Sequence, residues 1–367
     1  MKPWDRIELE GHVRSLMNAH WQPAGYTVPS PTTYTQQYLW DSCFHAIIWA
    51  GLGNDRCLVE LESLFERQHE SGFLPHMGYD AHPSDSVEFW GIAGSSSITQ
   101  PPMYGHALLE LSLRGFEPSQ DLLDRAVEGI RYLLERRVHP SGLLRIVHPW
   151  ESGMDNSPRW DSWCESPWTE ERWYRAKGEL VQSFVCDAAG AAYENPAFDV
   201  GSVGFTALTL WNAEALSQLV GNGLFGTRLG ELRKALRRHY DPVAHTFVDA
   251  GRPSGAAPTL DGLLPGLLLG FGDASEQLAS SRAFGGRYGP TFVHRGHQSF
   301  DPDAYWRGST WPQMTYLCGK LAGEPEPSVS RALRRGAQRS KLAEHWNADT
   351  GSGLGTIPLS WAGLAIL

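Results

Sequence analysis

Several loops of this 367-residue chain place carboxylates beside tryptophans, a combination suited to sugar chemistry. Indole faces can stack on the apolar C–H faces of a pyranose ring, while carboxylates, amides and arginines bind its hydroxyls. An acid in an apolar aromatic pocket also has its pKa raised, so it stays a proton donor at neutral pH. Hydrolysis of a glycosidic bond needs one such acid and a second carboxylate. The loops contain Trp40-Asp41, Trp150 to Ser157, Trp160-Asp161, Tyr305 to Gly308 and Glu344-His345-Trp346.

Asp155 and Glu344 are the candidates for the two reacting carboxylates. Asp155 lies in a Gly-Met-Asp-Asn-Ser loop, where Gly153 permits a sharp turn that could present the side chain to a cavity. Glu344 follows a basic helix and precedes a glycine-rich stretch. The two are far apart along the chain, so only the fold could bring them together, and spacing alone does not pair them. For any single carboxylate, a helix cap or a salt bridge remains the alternative interpretation.

The overall composition argues against several other classes of protein. A net charge of −10 is the wrong sign for a nucleic-acid-binding surface. The N-terminus has no apolar segment typical of a signal peptide, and no apolar stretch is long enough to span a bilayer, so we expect a cytoplasmic protein. The five scattered cysteines form no C-x-x-C pair, and His294 and His297 have no third ligand nearby. We therefore expect no metal and no cofactor.

Helical periodicity dominates the chain and defines the elements that must position these loops. Between residues 121 and 134, apolar side chains recur at i, i+3 and i+4. Similar stripes predict helices over 5–20, 40–52, 56–69, 103–114, 204–220, 227–240, 305–321 and 328–343, with weaker ones at 177–192, 260–270 and 358–367. Strand-like alternation is short and rare. The sequence thus predicts an all-α protein of about a dozen helices.

An arrangement that buries every apolar face of a dozen helices is a toroid of helical hairpins, the (α/α)6 barrel. The chain shows no fixed repeat, which argues against a solenoid, and no Ser/Gly/Pro linker that would divide it into two stacked bundles, which remain the alternative. We therefore expect one catalytic domain over 1–367, with a loop or cap insertion at about 138–176. This insertion contains five tryptophans, and a long aromatic loop in a compact domain is typically functional.

The carboxylate-containing segments also resemble a known family. The string from His148 to Asp161, which includes Trp150-Glu151-Ser152-Gly153-Met154-Asp155-Asn156-Ser157, closely resembles the signature of glycoside hydrolase family 63. Four further segments match in the family's order, and together they extend over nearly the whole chain. They are Gln37 to Ser42, Ile98 to Pro102, Tyr305 to Pro312 and Glu344 to Gly351.

This resemblance implies an (α/α)6 catalytic barrel that hydrolyses α-glycosidic bonds with inversion. It makes Asp155 the general acid, Glu344 the general base, and Glu151 a supporting residue beside the acid. Inversion would set the two reacting carboxyl groups roughly 6.5–9.5 Å apart, leaving room for a water. The residues it implies around the cleaved sugar are Trp40, Asp41, Gln100, Trp150, Trp306 and Arg307, with Tyr34 and Trp311 as further neighbours.

The chain lacks a separate β-sandwich domain before Trp40, and its size is similar to compact bacterial members that cleave glucosylglycerate or mannosylglycerate. Their leaving group contains a carboxylate, which calls for a cation. Arg172 and Arg175, on the aromatic loop, are candidates, although the residues alone favour surface arginines for each. We predict an inverting α-glycosidase for an α-glucoside or α-mannoside of a small polar aglycone, with a homo-oligomer left open. The alternatives are an α-glucosidase for disaccharides or oligosaccharides and a non-catalytic carbohydrate-binding toroid.

Overall fold

The computed structural model describes residues 4–80, 83–251, 257–323 and 327–367, and these are mainly helical. The α-helices are α1 (Arg6–His20), α2 (Leu39–Gly51), α3 (Arg56–Phe65), α4 (Asp85–Trp90), α5 (Tyr104–Leu113), α6 (Gln120–Arg136), α7 (Glu170–Val181), α8 (Val203–Val220), α9 (Arg228–Arg238), α10 (Leu264–Leu269), α11 (Ala274–Ala279), α12 (Pro312–Leu321) and α13 (Pro327–Ser340). Short 3₁₀ helices span Pro149–Ser152, Pro158–Trp163, Leu260–Gly262 and Ser360–Ile366.

The strands form short antiparallel pairs in the connections between helices. They are β1 (Gln37–Tyr38) with β2 (Met77–Gly78), β3 (Leu144–Ile146) with β6 (Val200–Ser202), β4 (Val185–Cys186) with β5 (Ala192–Glu194), β7 (Tyr240–Asp241) with β8 (Thr246–Phe247), and β9 (His345–Trp346) with β10 (Gly353–Leu354). Such pairs fix the ends of loops, so they position side chains without forming a layer of their own.

The helices pack as two concentric rings. The inner ring is closed: α2, α5, α8, α10, α12 and the 3₁₀ helix Ser360–Ile366 each contact the next, and the last contacts α2 again. Outside it, α3, α6, α9, α11, α13 and α1 pack against the inner helices. This is the predicted (α/α)6 toroid, and the all-α prediction is confirmed.

Sequence patterns differ between the two rings because their surroundings differ. In α2, every residue from Leu39 to Ala50 is buried, since an inner helix is enclosed by its ring neighbours and its outer partner. In the outer helix α6, the buried residues lie on one face and charged residues cover the other. Among the described residues, no helix is long and apolar enough to cross a lipid bilayer.

The helix boundaries depart from the predicted ones where loops enter the interior. The stripe predicted at 305–321 is helical only from Pro312, because residues 305–311 form an irregular segment whose aromatic side chains are turned inward. The weak stripe at 177–192 is displaced from the helix, since α7 lies at Glu170–Val181. The short helices α4 and α11 are not predicted, because six residues are too few to show a period.

The predicted insertion at about 138–176 includes β3, two 3₁₀ helices and the first half of α7. Its central part is anchored to the toroid by the buried guanidinium of Arg159, which pairs with both Asp249 and Asp261. Arg159 lies four residues after Asp155, so this buried ion-pair cluster holds in place the loop that presents the candidate acid.

Candidate active site

One cavity of about 670 Å³ gathers most of the predicted site residues. Its walls come from the first turn of α2, the Asp155 loop, α7, and the segments around Tyr305 and Glu344. The predicted residues that line it are Tyr34, Trp40, Asp41, Gln100, Trp150, Asp155, Trp306 and Glu344. The two carboxylates that are far apart in sequence therefore face the same space.

The start of α2 forms one wall. Trp40 and Asp41 lie in its first turn, and the side-chain carbonyl of Gln100 accepts from the backbone N–H of Trp40 at 3.3 Å, which satisfies one of the helix's unpaired donors. Asp41 is only 4% exposed, and burial raises its pKa to about 7, with the negative charge of Glu344 adding to the rise.

The Asp155 loop is shaped by close packing on this wall. Gly153 has a φ of 74°, and a Cβ there would lie 2.6 Å from the Trp40 ring, so only glycine fits this turn. Two indoles then fix the backbone: Trp160 donates to the carbonyl of Met154 at 3.0 Å, and Trp173 donates to the carbonyl of Asp155 at 2.7 Å. The backbone of the candidate acid is thus held by side chains from two neighbouring elements.

The Asp155 side chain meets a cation that the sequence analysis does not single out. Lys177, in α7, donates through Nζ to Oδ2 of Asp155 at 2.6 Å and to Oδ1 of Asn156 at 2.8 Å. Lys177 is 3% exposed and also lines the cavity. One feature of the sequence could have indicated Lys177: it lies four residues after Trp173, and therefore on the same face of an amphipathic helix.

Glu344 lies just before β9 and is 2% exposed. Its Oε1 accepts from the hydroxyls of Tyr34 at 2.9 Å and Tyr305 at 3.0 Å, and its Oε2 accepts from the backbone N–H of Thr356 at 2.9 Å. Burial raises the pKa of Glu344, while these donors partly offset the rise. A Cβ at Gly355 would lie 2.5 Å from Oε2, so only glycine lets the backbone pass this close to the carboxylate.

Tyr34 and Tyr305 link the two candidate catalytic carboxylates electrostatically. Their hydroxyls are 3.4 Å apart. Burial raises the pKa of both phenols, and the negative charges of Glu344 and Asp155 raise it further in each. Both carboxylates therefore act electrostatically on the same pair of phenols, and Glu344 also accepts their hydrogen bonds. Tyr305 belongs to one of the matching motifs but is not among the predicted site residues.

Stacked aromatic side chains form another part of the cavity wall. Trp306 faces the cavity and stacks on Trp311 with ring centroids 3.7 Å apart and an interplanar angle of 3°. His345 continues the stack behind Trp311 at 4.5 Å. Trp311 is therefore a support for the Trp306 wall and does not itself line the cavity. Trp306 has a φ of 58°, an uncommon conformation for a non-glycine residue, which this packing maintains.

Glu151 is fully buried and lies outside the cavity lining. It forms a two-bond ion pair with the Arg137 guanidinium, both at 2.8 Å, and accepts from the backbone N–H groups of Thr99 at 3.0 Å and Val147 at 2.6 Å. These bonds join Glu151 to the end of α6 and to the segments around Thr99 and Val147, and its role as a support for the acid stays a prediction.

Arg307 is 8% exposed but does not line the cavity. Its guanidinium pairs with both carboxylate oxygens of Asp161, at 2.9 and 2.5 Å, and lies 3.7 Å from the ring centroid of Trp168. The structure thus uses Arg307 to join the Tyr305 segment to the insertion, rather than placing it at the wall where we predicted contact with sugar hydroxyls.

Arg172 and Arg175, predicted to bind an aglycone carboxylate, are not brought to the cavity. Arg172 donates to the carbonyl of Pro167, and Arg175 lies on the exposed face of α7 beside Glu171. The helical period explains the difference, because α7 turns these arginines away from the cavity and Lys177 towards it. Among the described residues, no group of three His, Cys, Asp or Glu side chains could hold a metal ion.

Comparison with known proteins identifies relatives over nearly the whole chain. The family model described as the mannosylglycerate hydrolase MGH1-like glycoside hydrolase domain matches residues 34–362. A mannosylglycerate hydrolase from Thermus thermophilus is 28% identical, with 92% of this chain and 94% of the relative aligned. A glucosylglycerate hydrolase from Mycolicibacterium hassiacum is 26% identical, with 93% of both chains aligned.

Solved structures show the same architecture. The crystal structure of a glycoside hydrolase family 63 mannosylglycerate hydrolase from Thermus thermophilus, in complex with Tris and D-glycerate, matches with a TM-score of 0.84. It is 26% identical and covers 98% of this chain and 99% of its own. A further structure, described as a wild-type glycosidase, is 15% identical with a TM-score of 0.57 and shares the fold.

Proposed function

The chain belongs to the mannosylglycerate hydrolase MGH1-like family of glycoside hydrolases, and from this membership we propose that it hydrolyses an α-glucoside or α-mannoside of a small polar aglycone with inversion. Glucosylglycerate and mannosylglycerate are the proposed substrates, in keeping with the names of its relatives. The observation that supports this function most directly is that Asp155 and Glu344 line one cavity walled by Trp40, Trp150 and Trp306.

The proposed step is a single displacement. Protonated Asp155 donates its proton to the glycosidic oxygen as the bond from that oxygen to the anomeric carbon breaks. A water attacks the anomeric carbon from the opposite face and gives its proton to Glu344. The products are the free sugar and the aglycone alcohol, with Asp155 left as a carboxylate and Glu344 as a carboxylic acid. Proton exchange with solvent then restores both groups.

The surroundings of Glu344 suit a general base. A carboxylate is an acceptor only, and Glu344 receives two phenol O–H groups and one backbone N–H, all of which stabilise its ionised form. The raised pKa makes this carboxylate a stronger proton acceptor than an exposed one. Asp155 is more exposed, at 22% of its side chain, and lies at the wall formed by α7. We therefore assign the acid to Asp155, on the aglycone side.

We propose that the sugar ring lies against Trp40 and Trp306, with Asp41 and Gln100 binding its hydroxyls. All four side chains line the cavity, and Gln100 contacts the backbone of Trp40. The indoles remove water from the reacting bond, which strengthens each polar interaction with the sugar. No cofactor enters any of these steps.

A longer substrate is the second candidate, and one feature favours it. Tyr174 lines the cavity although 72% of it is exposed, and Phe89 does so at 38%. These exposed rings could stack a second sugar, as an α-glucosidase for disaccharides or oligosaccharides would require. A panel of α-glucosides and α-mannosides, containing glucosylglycerate, mannosylglycerate and disaccharides, distinguishes the two candidates by kcat/KM.

Substitution of each candidate catalytic carboxylate tests the assignment. We expect Asp155→Asn and Glu344→Gln each to lower kcat by about 100- to 10,000-fold, the usual contribution of a proton-transfer group, while sugar binding is retained. Glu171→Gln, which changes an exposed carboxylate of α7 outside the cavity lining, is the matched control. Turnover at the wild-type rate in either site variant would reject its assigned role.

The stereochemical course gives an independent test. Proton NMR of the product formed in the first turnovers should show the β-anomer released from an α-glycoside, because a single displacement inverts the anomeric carbon. First release of the α-anomer would reject inversion and with it the proposed placement of a water between the two carboxyl groups.

We also propose that the enzyme acts in the cytoplasm on a small molecule, without a nucleic-acid partner. The five cysteines, which are all free, support a reducing compartment, and the net charge of −10 argues against a nucleic-acid partner. Fractionation of cells followed by activity assay tests it, and light scattering on the purified protein tests whether it is a homo-oligomer.

A further inference from the structure

Lys177 occupies a distinctive position in the cavity wall. Among the described lining residues it is the only lysine or arginine, and it is almost completely buried. Two of its three N–H donors are used by Asp155 and Asn156, at 2.6 and 2.8 Å, and the third has no acceptor among the described residues. The site thus holds one ammonium group, bonded to the proposed acid and with a donor to spare.

Most of the groups around this ammonium are uncharged, so its positive charge acts mainly on Asp155. Trp150 and Trp173 lie beside it, with ring centroids 5.6 and 5.8 Å from Nζ. His148 bonds the backbone carbonyl of Lys177, and burial lowers its pKa to about 3, so this histidine is neutral. Glu170, at the other end of the cavity-lining part of α7, is the remaining carboxylate of that helix in the wall.

The groups facing Asp155 from the other side bring no second positive charge. They are the hydroxyls of Tyr34 and Tyr305 and, bonded to these, the carboxylate of Glu344. The ammonium of Lys177, which bonds Oδ2 of Asp155 at 2.6 Å, is therefore the one positive charge among the described lining residues that contacts this carboxyl group. To act as the acid proposed above, Asp155 has to gain a proton, and the ammonium bonded to Oδ2 competes with that proton for the carboxylate.

We propose that Lys177 makes proton uptake by Asp155 depend on the negative charge of the aglycone. This rests on the function proposed above. In a glycerate glycoside, the carboxylate is attached to the carbon that bears the glycosidic oxygen. The group that protonates this oxygen and the group that binds the carboxylate must therefore be neighbours, as Asp155 and Lys177 are at 2.6 Å.

Substrate binding then changes the charge around the acid. The aglycone carboxylate accepts from Lys177, which neutralises the ammonium and adds a negative charge next to Asp155. Both effects favour the protonated acid, so Asp155 takes up one proton from water as the substrate binds. A neutral aglycone leaves Lys177 on Asp155 and the acid ionised. Lys177 is thus a positioning residue that selects acidic aglycones through kcat, as well as through binding.

The direct test compares glycosides of D-glycerate with glycosides of D-glyceramide, which have nearly the same shape but no charge. In the wild type, kcat should be higher for the glycerate, and the alkaline limb of its kcat profile should lie at higher pH. Lys177→Met should lower the glycerate-to-glyceramide ratio of kcat/KM by about 10- to 100-fold, the value of one charge-assisted hydrogen bond. It should also move the alkaline limb for glyceramide to higher pH.

Two further variants make this test specific. Arg175→Met removes one positive charge from the same helix outside the cavity lining and should leave both the ratio and the two limbs unchanged. Lys177→Arg restores the charge and should restore most of the ratio. Equal alkaline limbs for the two substrates in the wild type, or an unchanged ratio in correctly folded Lys177→Met, would overturn the inference.

A binding measurement on the wild type avoids reliance on a folded Lys177 variant. Calorimetry in buffers of different ionisation enthalpy should show that D-glycerate binds with proton uptake at neutral pH, and that D-glyceramide does not. The uptake should vanish in Asp155→Asn. Binding of D-glycerate without proton uptake would overturn the inference while leaving the hydrolase intact, whereas full turnover by Asp155→Asn would overturn the proposed function instead.

Discussion

Replacement of Asp41 by asparagine should change how the stability of the protein depends on pH. Asp41 is 4% exposed, and burial raises its pKa from 3.8 to about 7. A group whose pKa is raised on folding stabilises the folded state when protonated, so its contribution is complete below the unfolded-state pKa and is lost as the pH rises through the folded-state value. A shift of about 3 units corresponds to about 4 kcal/mol in full.

The experimentally accessible part of this effect lies near neutrality. With these two pKa values, Asp41 should contribute about 2 kcal/mol at about pH 5.5 and almost nothing at about pH 8. Asparagine has nearly the same shape and does not titrate. The free energy of unfolding of the wild type, minus that of Asp41→Asn, should therefore fall by about 2 kcal/mol across this range.

Urea unfolding of both proteins at a series of pH values measures this difference. Buried histidines also affect the curves: burial lowers the pKa of His76 and His148 to about 3, so their stabilisation is lost as the pH falls below the unfolded-state value. This loss occurs equally in both proteins and cancels in the subtraction. A difference that stays constant, or that grows as the pH rises, would refute the argument that Asp41 is protonated in the fold below neutrality.

Two further substitutions test how the site is supported. Gly153→Ala adds a Cβ that would lie 2.6 Å from the Trp40 ring at a φ of 74°. The loop that contains Asp155 must therefore shift, and kcat/KM should fall by about 100-fold. Gly115→Ala is the control: this glycine has a φ of 84° but open space around it, so the variant should keep full activity in the same assay. Glu151→Gln leaves the buried Arg137 guanidinium without a counter-charge and should lower the free energy of unfolding in urea by about 3–5 kcal/mol, whereas lost turnover at unchanged stability would mean that Glu151 acts in the chemistry.

Much of the helical fold could be predicted from the sequence because it is encoded locally. The stripe from Leu122 to Leu134 lies within α6, since one face of an outer helix must be apolar and the other polar. The same reasoning loses precision for segments that are buried on all sides. Residues 305–311 are rich in buried aromatic side chains, and their apolar pattern predicts a helix although they form an irregular wall of the cavity.

The site could be predicted in part, and the failures share a cause. Motifs identify Asp155, Glu344 and the tryptophans around them, all of which reach the cavity or its supports. The predicted cation is wrong: Arg172 and Arg175 are indicated by their place in the aromatic loop, while Lys177 lies two residues further along the helix and points inward. Arg307 is expected at the sugar and instead pairs with Asp161. In each case the sequence shows what chemistry the side chain offers, but it does not show which way that side chain points.

The sequence by itself determined the helical architecture, the two candidate catalytic carboxylates and the aromatic character of their surroundings, because periodicity and residue type are local properties. Only the tertiary structure decided what surrounds each carboxylate: an ammonium at Asp155, two phenols and a backbone N–H at Glu344, and an enclosed helix terminus at Asp41. Protonation depends on burial and on charges within a few ångströms. Some of these contacts, such as that between Tyr34 and Glu344, join segments from the two ends of the chain, so they exist only once the inner ring has closed.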